Sequence, residues 1–196
     1  MDEHVSLDAP LLLRSSRSRT WIRTRLLERT LRRLPKSPRT LDLCCGYGFY
    51  FGINPDAQGI DGDPVSVNAL QSEGRNVTLG NVLHPLPYAD GAFDYVLAHD
   101  TLEHFVEDEL GLLLPEVHRV LADAGLLLVW VPNRRGYDSG LTPEVGHRLF
   151  VTRAVIERLI GGSFAIEKHY SEPLPRKIGA AFVHNKEVFW LRKIAA

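Results

Sequence analysis

The stretch that most constrains this 196-residue chain runs from Thr40 to Asp61. An apolar segment, Leu41-Asp42-Leu43-Cys44-Cys45, meets a turn carrying Gly46 and Gly48. A short aromatic run, Phe49-Tyr50-Phe51, follows, and a second apolar segment, Gln58-Gly59-Ile60, ends on the carboxylate of Asp61. Glycine has no β-carbon, so Gly46 and Gly48 let the backbone pass close to a ligand. An acid at the end of the next strand can accept hydrogen bonds from ribose hydroxyls. Strand, glycine turn, helix and acid-ended strand form half of a nucleotide site and predict an adenosine-containing cofactor.

The spacing separates this turn from the dinucleotide fingerprint. That fingerprint wants Gly-x-Gly-x-x-Gly with its acid about 20 residues on. Here Phe49, Tyr50 and Phe51 follow Gly48, the next glycine is Gly52, and only 12 residues lie between Gly48 and Asp61. NAD and FAD are therefore disfavoured, and the first helix is cut to one or two turns. Asp42, ahead of the turn, is no part of that fingerprint but suits a ligand's ammonium group. Two glycines alone also occur in ordinary tight turns, so the assignment needs the rest of the chain.

The rest of the chain supplies a linked set: Leu86-Pro87-Tyr88-Ala89-Asp90-Gly91-Ala92-Phe93-Asp94, then Leu102-Glu103-His104, then Arg119-Val120-Leu121 and Gly125-Leu126-Leu127. In this order and spacing the chain resembles the class I S-adenosylmethionine (SAM)-dependent methyltransferases, in the small-molecule group with an LPxxDxxFD, LEH and RVL string. The resemblance covers roughly residues 38 to 170, and linked motifs are far more specific than any one alone.

Composition is consistent with a single α/β domain, since domains of about 100 to 200 residues are usual. No apolar run approaches the 18 or so residues of a membrane span, and Leu11 to Leu13 is too short for a secretory signal, which predicts a cytoplasmic protein. The two cysteines, Cys44 and Cys45, are neighbours. They cannot cross-link distant segments or supply a metal-ligand set, and no metal is assigned. The net charge of −1 hides an asymmetry: residues 1 to 40 hold ten Lys or Arg against four acids, leaving −7 for the remainder. Trp21, Ile22, Leu26, Leu27, Leu31 and Leu34 at loosely helical spacing among the arginines predict a basic amphipathic arm over residues 1–38, ahead of a cofactor-binding domain over 39–196. Such a helix packs on a domain or touches phosphate or a membrane surface.

Period and punctuation predict strands over Thr40–Leu43, Gln58–Asp61, Asn76–Leu79, Ala92–Ala98, Leu126–Val131, Phe164–Tyr170 and Glu187–Ile194. Helices are predicted over about Pro64–Glu73, with Asp63 as its cap, over the apolar face of Leu110 to Leu121, and over Thr152–Ile160 before Gly161 and Gly162. Pro115 is expected to divide the second of these. The alternation argues for an α/β, Rossmann-like doubly wound sheet. The resemblance implies seven strands, mostly parallel with strand seven antiparallel, in the order 3-2-1-4-5-7-6.

Ligands of such sheets sit outside the carboxyl ends of the strands. There the resemblance places Asp42, Gly46 and Gly48 at the methionine end of SAM, Asp61 at the ribose and Asn81 near the adenine amine, with Cys44, Tyr47, Gly62, Val82 and His99 as further cofactor-binding candidates. Two positions depart from the pattern: Cys44 stands where the first glycine usually lies, and Tyr47 replaces a small residue. For catalysis His104 is the first candidate base, His99 the second, and His147 a third that leans over the acceptor from the loop Asn133 to Leu149, which is long enough to be a lid. A bracing role for His104 stands beside this one. The expected activity is methyl transfer to oxygen or nitrogen of a small molecule, lipid or saccharide. The alternatives are methylation of RNA or protein, and a non-catalytic SAM-binding partner subunit. The acidic remainder and the lack of interleaved aromatic and basic residues argue against a nucleic-acid partner.

Overall fold

Short apolar runs bounded by turn residues become the strands of one seven-stranded sheet. In a computed structural model that describes residues 36–134, 146–172, 174, 175, 177 and 186–195, they are β1 (Thr40–Leu43), β2 (Gln58–Asp61), β3 (Asn76–Leu79), β4 (Phe93–His99), β5 (Leu121–Pro132), β6 (Phe164–Glu172) and β7 (Lys186–Lys193). Their order is β3-β2-β1-β4-β5-β7-β6. The first five pair in parallel, and β7 runs antiparallel to both β5 and β6. The basic arm expected over residues 1–38 lies almost wholly outside the described residues, as does most of the loop from Asn133 to Leu149.

Strand residues alternate between two cores. On one face Leu127, Val129 and Val131 of β5 join Leu41, Leu43, Val96 and Ala98. On the other, Leu126, Leu128 and Trp130 join Leu97 and Val188. A central parallel strand has both faces covered, which is why β4 and β5 read as nearly continuous apolar runs.

Among the described residues three α-helices cover the sheet. Helix α1 (Pro64–Ser72) starts where expected: the Asp63 carboxylate accepts the N–H groups of Val65 and Ser66, and Pro64 sits at the first helical position. Helix α2 (Glu107–Val120) buries Leu110, Leu113, Leu114, Val117 and Val120. Helix α3 (Arg153–Ile160) begins at Thr152, whose hydroxyl accepts the Val155 N–H, and ends at Gly161 with φ 49°.

Two sequence expectations are corrected here. Pro115 does not divide α2, which runs through it without a break. Pro115 and Gly111, the residue whose carbonyl loses its partner, both face solvent, where water can take the freed oxygen. Strand β5 also begins five residues early, at Leu121, which pairs with Phe93 before residues 122–125 bulge out and regular pairing resumes at Leu126 and Tyr95. The truncated first helix is confirmed as a single 3₁₀ turn over Phe49–Gly52.

Candidate active site

The carboxyl ends of β1, β2 and β4 meet at the point where strand order reverses. Asp61, ending β2, takes the Gly46 N–H on Oδ2 at 2.7 Å and the Asp63 N–H on Oδ1 at 2.8 Å. Thr101, buried after β4, donates from Oγ1 toward the carbonyls of Leu43 and His99, each at 3.2 Å, tying the end of β1 to the end of β4. The cleft between them has a volume of about 360 Å³ and is lined by Cys44, Gly62, Gly80, Asn81, Val82 and Phe105. That size suits a bound small molecule. A depression of about 410 Å³ beside Asp90 and Arg119 lies at the opposite ends of the strands, away from these groups.

The two turn glycines have different duties. A β-carbon on Gly48 would lie 2.4 Å from Leu70 Cδ2 of α1, so Gly48 is required for packing the turn onto the helix. A β-carbon on Gly46 would meet no atom within 4 Å, which leaves its face open to a ligand. Cys44 adopts φ 54°, a left-handed conformation that favours the glycine usually found there. Burial first, then Asp61 and Asp42, pushes its thiol up to about 12, so it stays protonated and inert. Tyr47 is exposed.

Asp42 is only 5% exposed. Burial, with a smaller contribution from Asp61, raises its carboxyl to about 8. A cationic ammonium group placed beside it would supply the counter-charge that its surroundings lack. At the end of β3, Asn81 Oδ1 already accepts the Leu83 N–H at 3.0 Å, leaving one lone pair toward the cleft. Val82 is buried beneath.

A second group of polar side chains follows β4. His99 is largely buried, with its Nδ1 3.8 Å from Asp100 Oδ2, and burial holds its pKa below the ordinary histidine value. Asp100 pairs with Lys186 of β7. Burial pushes Asp100 up, but Lys186 and His99 outweigh it and hold the carboxyl below the usual range. The turn Leu102–His104 then buries Glu103, whose carboxyl is raised first by burial and then by Asp100.

The Glu103 carbonyl accepts the N–H groups of Arg148 and Leu149 at 2.8 and 3.1 Å. This anchors the segment 146–150 and brings the His147 ring to within 5.2 Å of the His104 ring. Sequence reasoning placed both histidines near the acceptor but missed their pairing and missed Glu103, Asp100 and Lys186. A Glu-His dipeptide directly after a central strand was the signal available.

The strand order, with a cleft at its switch point, gives a Rossmann-like fold of the class I methyltransferase type. Residues 41–129 match the family described as a methyltransferase domain. The chain is 35% identical over 108 residues to an uncharacterized protein of Methanocaldococcus jannaschii, covering 54% of this chain and 44% of that one. It is 26% identical over 130 residues to a tRNA (carboxymethyluridine(34)-5-O)-methyltransferase of Schizosaccharomyces pombe, covering 64% and 57%. The matches thus span about half the length of these curated relatives. Among solved structures, a SAM-dependent methyltransferase from Archaeoglobus fulgidus superposes with a TM-score of 0.66 at 15% identity, over 92% of this chain and 96% of that one. Residues 41–129 are thus similar to the methyltransferase-domain family, and the fold is that of the class I SAM-dependent methyltransferases.

Proposed function

We propose that this protein transfers the methyl group of SAM to an oxygen of a small hydroxylated acceptor, within a wider range that includes nitrogen, lipid and saccharide acceptors. SAM supplies an electrophilic methyl on a sulfonium. Gly46, Cys44, Tyr47 and Gly48 would pass the cofactor's amino-acid end, with Asp42 facing its ammonium group. Asp61 and Gly62 would meet the ribose, and Asn81 and Val82 the adenine. His99, at the end of β4, would border both cofactor and acceptor.

Transfer from a sulfonium is an in-line displacement, so the protein has to align the acceptor and take its proton. The pairing of His104 with His147 carries this reading. Two imidazoles facing each other beyond β4 suit a group that must be deprotonated. Burial and His104 hold His147 below the ordinary histidine pKa, so it is neutral and able to accept a proton near pH 7. Incubation with methyl-labelled SAM and a panel of phenols, sugars and amines tests this. Label moving mainly to hydroxyl acceptors is expected; cofactor binding with transfer only to amines would overturn the oxygen assignment.

A second reading is methylation of RNA. The fission-yeast relative named as a tRNA methyltransferase and the arginines between Arg14 and Arg33 favour it. It requires RNA affinity that falls steeply with salt. Binding that is weak and insensitive to salt would remove it.

A further inference from the structure

Three donor groups from two distant segments converge after β4. Glu103 and His104 come from the turn at its carboxyl end, and His147 comes from the segment tied down by the Glu103 carbonyl. One ligand atom from each, a carboxylate oxygen and two imidazole nitrogens, lies within 4.8 Å of both others. Glu103 is 1% exposed, and neither of its carboxylate oxygens has a hydrogen-bond partner among the described residues. A buried polar group in that state is costly. Its neighbour Asp100 is another acid, within hydrogen-bonding reach of Glu103 and already engaged by Lys186, so the pair is satisfied only by a proton held between the two carboxylates or by a cation.

A cation resolves this arrangement. We propose that Glu103, His104 and His147 form a binding site for a first-row divalent transition-metal ion, at the edge of the acceptor pocket. Two imidazoles and one carboxylate suit Mn²⁺, Fe²⁺, Co²⁺ or Zn²⁺ better than Mg²⁺ or Ca²⁺, which prefer all-oxygen shells. Bonds of about 2.0–2.2 Å bring donors closer together than they stand here. The two half-exposed histidines can swing inward to close the set around an ion. Three protein ligands leave positions for water and for an acceptor oxygen.

The binding site stands on the donor geometry alone, whereas its catalytic use rests on the methyl-transfer reading. With an ion bound, both imidazoles would be ligands and take no proton, so an acceptor hydroxyl held by the ion would lose its proton to solvent near neutral pH, in place of the histidine base of the metal-free protein. The oxygen's electron pair then forms the new O–C bond to the methyl carbon as the C–S bond breaks. The bonding pair passes to sulfur, leaving a neutral thioether.

The test uses the untagged full chain, stripped with a chelator and titrated with Co²⁺ alone. Saturation at one equivalent with visible d–d absorption is expected. His147→Ala and the near-isosteric Glu103→Gln are each expected to weaken Co²⁺ binding by at least about tenfold with the circular dichroism unchanged, since each removes one of three ligands. Absence of stoichiometric binding, or equal affinity in the wild type and His147→Ala, overturns the site. SAM calorimetry on the same samples separates the two claims. Cofactor binding without Co²⁺ binding rejects the metal site and leaves the methyltransferase reading standing; Co²⁺ binding without cofactor binding upholds the site and rejects its use in methyl transfer.

Discussion

The Oδ2 atom of Asp61 accepts the Gly46 N–H at 2.7 Å, so the acid that ends β2 clasps the cofactor loop that follows β1. Its other oxygen takes the Asp63 N–H. Each oxygen keeps a lone pair, so in the proposed site the same side chain that shapes the loop would also accept a ribose hydroxyl. Asp61→Ala is expected to weaken SAM binding by about 1.5–3 kcal/mol, the range for losing hydrogen bonds to a charged group. Calorimetry on the folded variant decides it, and unchanged affinity would place the ribose elsewhere.

Cofactor binding should depend on pH, with the SAM ammonium group placed as proposed beside Asp42. With its carboxyl raised to about 8 by burial and then by Asp61, the free protein holds a proton there at neutral pH. An ammonium group favours the ionised form, so binding releases that proton. SAM affinity should therefore rise with pH between about 6 and 8, by up to tenfold per unit, and level off above. Stability of the cofactor-free protein should run the other way. A carboxyl raised above its unfolded value gives stability that is complete below about pH 4 and is lost as pH climbs toward 8. Asp42→Asn should flatten both profiles and weaken SAM binding. Denaturant melts and calorimetry at several pH values test it, and a pH-independent Kd in the wild type would reject the placement of the ammonium group.

Arg119 illustrates a motif residue with a structural duty. Its guanidinium donates to the carbonyls of Leu86 and Tyr88, to Asp90 and to Glu116, while Glu116 also accepts the Leu86 N–H. The RVL arginine thus fastens the segment entering β4 onto α2. Arg119→Ala strands several of these acceptors together and is expected to cost about 2–4 kcal/mol of stability. SAM affinity of the remaining folded protein should be nearly unchanged. A melt within 0.5 kcal/mol of wild type, the ordinary scatter of surface substitutions, would contradict this bracing role.

What the sequence made legible was mostly local. Asp63-Pro64 declared the start of α1, Thr152 and Gly161 framed α3, and Thr40–Leu43 stood out between a proline-rich approach and a glycine turn. The misreadings were of elements whose rule is overridden by context: Pro115 sits on a solvent face that tolerates its missing N–H, and β5 carries a bulge with Ala124 at φ 56°. Least legible were relations across the chain. Lys186 reaches Asp100 across 86 positions, and His147 meets His104 only because two backbone N–H groups dock on the Glu103 carbonyl. No periodicity encodes such contacts.

That docking separates a base from a brace. His104 sits in the turn whose neighbour Glu103 anchors the 146–150 segment through its backbone, so removing the His104 imidazole leaves the anchor in place. His104→Ala is therefore expected to lower turnover by about 10²–10⁴, the usual contribution of a positioned proton acceptor. Its melting temperature and SAM affinity should stay close to wild type. His99→Phe is expected to differ: the His99 ring is packed near Trp130 at the end of β4 and in the proposed site borders the cofactor, so its loss should raise the SAM Kd as well as lower turnover. Steady-state kinetics with calorimetry on both variants reads the contrast. If His104→Ala loses stability in proportion to activity, His104 is a brace, and the proton falls to His147.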